Sequence, residues 1–514
     1  MNPSSHSPCY TCRSRRIQCD QSGVPCGKCE KAGLQCFDKR PIRWVKGVAI
    51  RGKMQGRSYE PKNGASTAAH DSDQKSLKSR RVAVKPTHNK IPYAPGSIPV
   101  AVQDPTISSL DQVSRYYVDY YNDRICKLFI VYDSDRNPFR SLISLGLTDP
   151  VLMKALLALA ARHHANAGQP FDRPDVTTSP SLVNANRDAL SFKHQAMEAL
   201  SHSLRCTELS KQDTTVASIF LLIFLDLLES GSDGWNFHLE GAKNLIASTY
   251  PQTDSQAGIN HGPGQTVQEI RAFITKQIHL IETLGATFLR PRLLSQFSSL
   301  NQQELRVQET IEKAFLGCPE YMLTAIQCLS MQRDSISGVK PLDDTTIHSH
   351  MAETASLLTL IDNFDSYAWA SSLQYSRDSS PQKIANLCKL SQAYKIGTLL
   401  YGQRILDALT SEVTVQDDKL SELLGLIDSL KDDQDMFKCV LWPVFVAGLE
   451  CRWQAQRDFL IGSLERFWEI TRCLNAVNAA KTLRGYWEQV GLPSEAPSQW
   501  IFDIGRLGRD WLWI

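Results

Sequence analysis

From about Thr106 onward, apolar residues recur at three- and four-residue spacing, whereas residues 1–105 show almost no such periodicity. That spacing places apolar side chains on one face of a helix. It predicts helices over 107–129, 149–166, 183–209, 213–229, 235–248, 266–288, 303–315, 319–334, 350–364, 380–410, 419–430, 435–456, 458–489 and 496–506. Gly and Pro retreat to the separators, above all 167–182, 250–265 and 335–348. Period-two alternation is nearly absent, and no repeat of solenoid length occurs. A large all-α domain over 106–514, of one or two packed helical layers, is therefore expected. Its longest apolar run, 219–225, is far below the roughly 18 to 20 residues of a membrane span. It predicts a buried helix and no membrane partner.

Composition changes the picture only at the N-terminus. The 514 residues are 42% hydrophobic and 21% charged, ordinary values for a globular chain long enough for two or more folded units. The net charge of +2 hides an asymmetry. Residues 1–100 hold 19 Lys and Arg against 6 Asp and Glu, and the other 414 hold 37 against 48. A basic head on an acidic body points to a polyanion partner for the head. A tail that merely solubilises the chain is the competing reading.

Six of the 14 cysteines lie between Cys9 and Cys36. The other eight, Cys126, Cys206, Cys318, Cys328, Cys388, Cys439, Cys451 and Cys473, stand singly, most in apolar surroundings that predict buried free thiols. The first eight residues are polar and form no secretory signal, so reduced thiols and a metal site are expected rather than a disulfide knot. The spacing is Cys9-x2-Cys12-x6-Cys19-x6-Cys26-x2-Cys29-x6-Cys36, two copies of C-x2-C-x6-C. Two tetrahedral zinc sites need eight ligand positions, and six thiolates supply eight if two of them bridge. The internal symmetry nominates the first cysteine of each copy, Cys9 and Cys26. A module this small has no core of its own, so metal binding and folding should be one event. A redox dithiol pair, a zinc ribbon or a RING-like fragment would need other spacings or a histidine, and the nearest, His6, lies outside the pattern.

The string CYTCRSRRIQC, followed by PCGKC and the sixth cysteine, resembles the fungal binuclear zinc cluster family of transcription factors at all six ligand positions. The resemblance implies two zinc ions, double-stranded DNA as partner and action in the nucleus. It also implies a short helix after Cys12 whose C-terminal end enters the major groove. Arg15 and Arg16 then occupy the positions that read a CGG-type triplet. An arginine fork suits this, because it can bond O6 and N7 of one guanine. Arg13, Lys28 and Lys31 suit phosphate contacts. Ile17 reads as a packing residue, and Pro25 fits the loop between the halves.

Many relatives continue into a dimerising coiled coil. Here Pro41, Gly47, Gly52 and Gly56 break any heptad register, which leaves the oligomeric state open and predicts little cooperativity on a single triplet. Lys39, Arg40, Arg43, Lys46, Arg51, Lys53 and Arg57 surround Trp44 in this stretch. The segment 41–105 reads as a basic arm and disordered linker, with Arg43 and Arg51 as DNA contacts; a solvated linker is the alternative. Lys75, Lys78, Arg80, Arg81 and Lys85 could serve nuclear import.

In the body, VYDSDRNPFRSLISL, GWNFHLEGAKNLI, LGCPEYML, YKIGTLLYGQRIL and LWPVFVAGLECRWQAQRDF are similar to the fungal-specific transcription-factor regulatory domain of acriflavine-sensitivity-control-like regulators. That implies regulation, or contact with transcription machinery or co-regulators. Trp235, His238 and Trp442 could line a small-molecule pocket, although core packing is the plainer reading. His163 and His164 read as capping or surface residues. No H-E-x-x-H, G-x-S-x-G, P-loop or strand-linked G-x-G-x-x-G occurs, so no enzyme is expected. The resulting expectation is a sequence-specific regulator of the RNA polymerase II type, compatible with control of a secondary-metabolite gene cluster. A zinc-dependent protein-interaction module without DNA binding is the alternative.

Overall fold

Several helices begin at a proline preceded by a capping side chain. Asn137 accepts from Phe139 N, Asp149 from Val151 N and Leu152 N, and Ser380 from Lys383 N. Proline at the first helical position loses no hydrogen bond there, and the capping oxygen satisfies an otherwise orphaned N–H. The structure is a computed structural model, which describes residues 8–22, 25–37, 110–172, 179–210, 212–232, 234–249, 265–288, 316–337, 343–373, 380–490, 500–503 and 509–514. The chain divides into two units, Met1–Pro92 and Tyr93–Ile514. Among its described residues the first holds two short helices, α1 (Tyr10–Ser14) and α2 (Gly27–Lys31).

The second unit is helical. Its main elements are α3 (Gln112–Tyr120), α4 (Pro138–Gly146), α5 (Pro150–Asn166), α6 (Pro180–Arg205), α7 (Asp213–Glu229), α8 (Gly234–Thr249), α9 (Gln265–Ala286), α10 (Glu320–Ile336), α11 (Asp344–Asp362), α12 (Pro381–Thr410), α13 (Asp417–Leu430), α14 (Leu441–Glu450), α15 (Gln454–Thr471) and α16 (Leu474–Val490). Among the described residues there is no strand, only an isolated bridge between Ser232 and Trp511. Two helices are apolar all round and sit inside: α7 is buried from Thr215 to Leu228, and every residue of α14 is buried. Amphipathic helices pack around them, with α5 along α6 and α7 against both α5 and α8. Trp235 and Trp442 are fully buried core residues, not the walls of a pocket.

Some expected boundaries move. The helix expected over 458–489 is two, because Arg472 takes a left-handed conformation (φ 53°) that ends α15 before Leu474 starts α16. The helix expected over 435–456 is likewise divided, into Gln434–Phe437 and α14. Helix α4 is not among the expected elements; nine residues behind an Asn-Pro pair are too short for a periodicity signal. Helix α11 begins at Asp344, inside an expected loop. The helix expected over 303–315 and the arm at 41–105 lie outside the described residues.

His163 departs from its expected surface role. It is buried, and the Tyr120 hydroxyl lies 2.8 Å from its Nδ1. Burial, with Arg124 and Arg472 adding repulsion, holds its pKa down at about 3. In the unfolded chain a histidine titrates near pH 6.5. Below that pH the unfolded state binds a proton that the folded state refuses, so stability falls from pH 6.5 toward 3. The unfolding midpoint should drop over this window by more in the parent than in His163→Gln, as thermal melts at stepped pH would show. Equal drops in both would refute the assignment.

Residues 511–514 are built into the core, and Asp510 borders it. Leu512 N donates to Gly231 O (2.9 Å), and Asn475 Nδ2 donates to Ile514 O (3.1 Å). Trp235 Nε1 donates to Asp510 O (3.1 Å), and the Trp513 ring lies 4.7 Å from that of Phe445. Gly231 is required beneath this strip: its φ is 72°, and a Cβ there would lie 2.5 Å from Asn475 Cβ. Further into the core, Arg404 donates to Glu450 at 2.6 and 2.9 Å and to Asp407 at 2.6 Å, and Trp500 Nε1 also donates to Glu450 (2.6 Å). Of the eight scattered cysteines, five are buried, Cys388 is half-buried, and Cys206 and Cys328 are exposed.

Candidate metal centre and nucleic-acid interface

Each half of the cysteine module is built the same way. Cys9 caps α1 and Cys26 caps α2, and three residues on, Cys12 and Cys29 lie one turn inside their helices. A three-residue offset puts both thiols of a pair on one side of the turn. The backbone repeats as well: Ile17 N donates to Cys12 O, and Leu34 N to Cys29 O. The halves are stitched by Thr11, whose Oγ1 donates to Gln35 O (2.9 Å) and accepts from Phe37 N (3.1 Å), and by Tyr10 N donating to Phe37 O (2.7 Å). Nothing in the cysteine spacing points to Thr11.

The six sulfurs converge into two four-member sets: Cys9, Cys12, Cys19 and Cys26, and Cys9, Cys26, Cys29 and Cys36. Cys9 and Cys26 belong to both. Within each set all sulfurs lie within 4.8 Å of one another. The Cys9–Cys26, Cys9–Cys29 and Cys12–Cys26 separations are 3.8, 3.8 and 3.6 Å. A tetrahedron with Zn–S bonds of about 2.3 Å has edges of about 3.8 Å, so the donor set fits two zinc ions joined along a shared edge. The two shared thiols are also the best prepared to ionise. The Cys12 N–H points at Cys9 and the Cys29 N–H at Cys26, which lowers both pKa values. Burial pushes Cys12 up to about 12 and Cys29 up as well, so their thiolates call for a cation.

Arg13, Arg15, Arg16, Lys28 and Lys31 are all exposed, on and just beyond the two helices. Arg16 has φ 55°, and its counterpart in the second half, Gly33, has φ 61°. A left-handed residue with a Cβ costs about 1–2 kcal/mol, which the second half avoids with glycine. Ile17 does not pack as expected: it is 38% exposed, and its counterpart Leu34 is 39% exposed. Among the described residues, no second element of the module covers either one. Arg43 and Arg51 fall outside the described residues.

Residues 7–44 match the fungal Zn(2)-Cys(6) binuclear cluster domain, and residues 115–514 match the fungal specific transcription factor domain. The chain is similar to the acriflavine sensitivity control protein acr-2 of Neurospora crassa, with 24% identity over 379 residues, 72% of this chain and 61% of that protein. It therefore spans about three fifths of that relative's length. A transcriptional regulatory protein of the same fungus is 43% identical over 51 residues, 10% of this chain and 7% of that one. No solved structure matches the chain.

Proposed function

Because the chain belongs to the fungal specific transcription factor family and carries its two-zinc, six-cysteine domain, we propose that it is a nuclear regulator that reads CGG-like triplets in duplex DNA. The observation that carries the proposal is the pair of sulfur sets joined at Cys9 and Cys26 beneath an exposed run of arginines. When bound, the metal ions fix the thiolates and so give a module with no apolar core its rigidity. Cys9, Cys12, Cys19, Cys26, Cys29 and Cys36 are the proposed ligands. Arg15 and Arg16, at the end of α1, are the base readers. Arg13, Lys28 and Lys31 hold phosphates, and Arg43 and Arg51 add affinity from the arm. The strained backbone of Arg16 supports its part in reading, since a position serving shape alone is met by glycine in the other half. The helical body is proposed to contact co-regulators, and control of a secondary-metabolite gene cluster is a compatible role.

The test is a titration of matched and scrambled sites at two salt concentrations. Arg16→Ala should cost about 1–3 kcal/mol on the matched triplet and relax the choice of one guanine. Arg43→Ala combined with Arg51→Ala should weaken all sequences alike and flatten the salt slope by about one unit per lost phosphate contact. Equal loss on both sites for Arg16→Ala would end the base-reading assignment. Salt-independent retention, or none, would favour a protein-interaction module instead.

A further inference from the structure

In both halves of the cysteine module, the residue after the third cysteine is tied to the first turn of the other half's helix. The atoms that make the tie differ. An offset of 17 positions aligns the halves, Cys9 with Cys26 and Asp20 with Phe37. Phe37 uses its backbone: its carbonyl accepts from Tyr10 N, and its N–H donates to Thr11 Oγ1. Asp20 uses its side chain. Gly27 N donates to Ser22 Oγ (2.9 Å), and Ser22 Oγ donates to Asp20 Oδ1 (3.1 Å). The N–H groups of Gly27 and Lys28 also point at the Asp20 carboxylate. These are first-turn groups, which have no partner inside a helix. Gly27 is the counterpart of Tyr10, and the carboxylate explains its size: a Cβ there would lie 2.7 Å from Asp20 Oδ2.

Lys28 is the counterpart of Thr11. The first half spends the side chain at this position on the stitch. The second half is stitched through backbone N–H groups, which leaves the Lys28 side chain out of it and exposed. We infer that Asp20 is a positioning residue for DNA: by holding the first turn of α2, it frees residue 28 to be a lysine and aims that lysine at a backbone phosphate. The role rests on the reading of the module as a DNA binder. A carboxylate beside phosphate-holding lysines weakens their pull on DNA, so the stitch and not the charge accounts for its place. Helix α1 is stitched separately, through Thr11, so base choice by Arg15 and Arg16 does not depend on Asp20.

The full zinc-loaded chain is titrated with matched and scrambled duplexes over a series of salt concentrations. Asp20→Ala should keep two zinc ions and the parental ratio of matched to scrambled affinity. Its plot of log affinity against log salt should be flatter by about one unit, the mark of one lost phosphate contact. Asp20→Asn keeps an acceptor oxygen and should stay close to the parental slope. Both variants lose the same charge, so the difference between them reads the stitch. Gly27→Ala displaces the carboxylate from the other side and should flatten the slope as Asp20→Ala does. Asp20→Ala added to Lys28→Ala should flatten it no further than Lys28→Ala alone. A parental slope in Asp20→Ala or Gly27→Ala, or equal slopes in Asp20→Ala and Asp20→Asn, would overturn the role. So would a further loss in the double variant, a fall in the matched-to-scrambled ratio, or loss of zinc. A parent without salt-dependent retention would instead overturn the DNA reading itself, and the role with it.

Discussion

Cys9→Ala and Cys26→Ala should each strip both zinc ions from the chain and abolish DNA retention, whereas Cys19→Ala and Cys36→Ala should each remove mainly one. The asymmetry follows from ligand sharing. Cys9 and Cys26 are the two sulfurs common to both four-member sets, while Cys19 and Cys36 each complete one. Loss of a shared thiolate leaves each metal with three protein ligands and opens the bridge that joins the halves. Binding of a structural zinc contributes on the order of 10–16 kcal/mol, far more than two five-residue helices can supply on their own. The Cys9→Ala module should therefore unfold outright. Metal content by plasma mass spectrometry, alongside circular dichroism of the purified chain, reads the outcome. Equal single losses for all four variants would rule out the shared-edge geometry.

The second large effect lies in the body. Glu450→Ala should lower stability by about 3 kcal/mol, because it takes the bidentate acceptor from the Arg404 guanidinium inside the core, leaving Asp407 as its carboxylate partner, and removes the acceptor of Trp500 Nε1. Arg404 and Glu450 are both more than nine-tenths buried, so water cannot replace the lost partner. Arg404→Met combined with Glu450→Met should recover little of the loss, because it leaves the Asp407 carboxylate buried without its cation. Denaturant titration of the parent and both variants tests this. A Glu450→Ala midpoint within error of the parent would show that the network carries no weight.

The cysteine module is largely legible in the sequence alone. Metal-ligand spacing is a local, arithmetical signal, and the convergence of the six sulfurs follows from two copies of one turn. The helical character of the body is legible for a similar reason: apolar stretches that run beyond the length of a strand, as in α5 and α7, read as buried helices. What escapes such reading depends on distant partners. His163 reads as a capping or surface residue because it stands at the end of an apolar helix, and only Tyr120 packing over it shows otherwise. Ile17 reads as a packing residue because it is aliphatic, and in a module without a core it has nothing to pack on. The break at Arg472 comes without Gly or Pro, whereas the one before Leu441 is marked by Pro443 in the first turn of α14, which has no N–H to continue a helix from residue 439.

The strip 509–514 has a consequence for how the body is made. It closes against Gly231, Trp235 and Asn475, residues that leave the ribosome before it does. Until the strip arrives, Trp235 Nε1 and the Gly231 carbonyl have no partner from that segment, and the apolar faces beneath Trp513 stay open. Contacts of such sequence separation are slow to form, and unfinished apolar surface invites aggregation. Biosynthesis of this protein thus has a late commitment point: the nascent body remains a substrate for chaperones until residues 509–514 have emerged, and abundance in the cell should track the integrity of that strip.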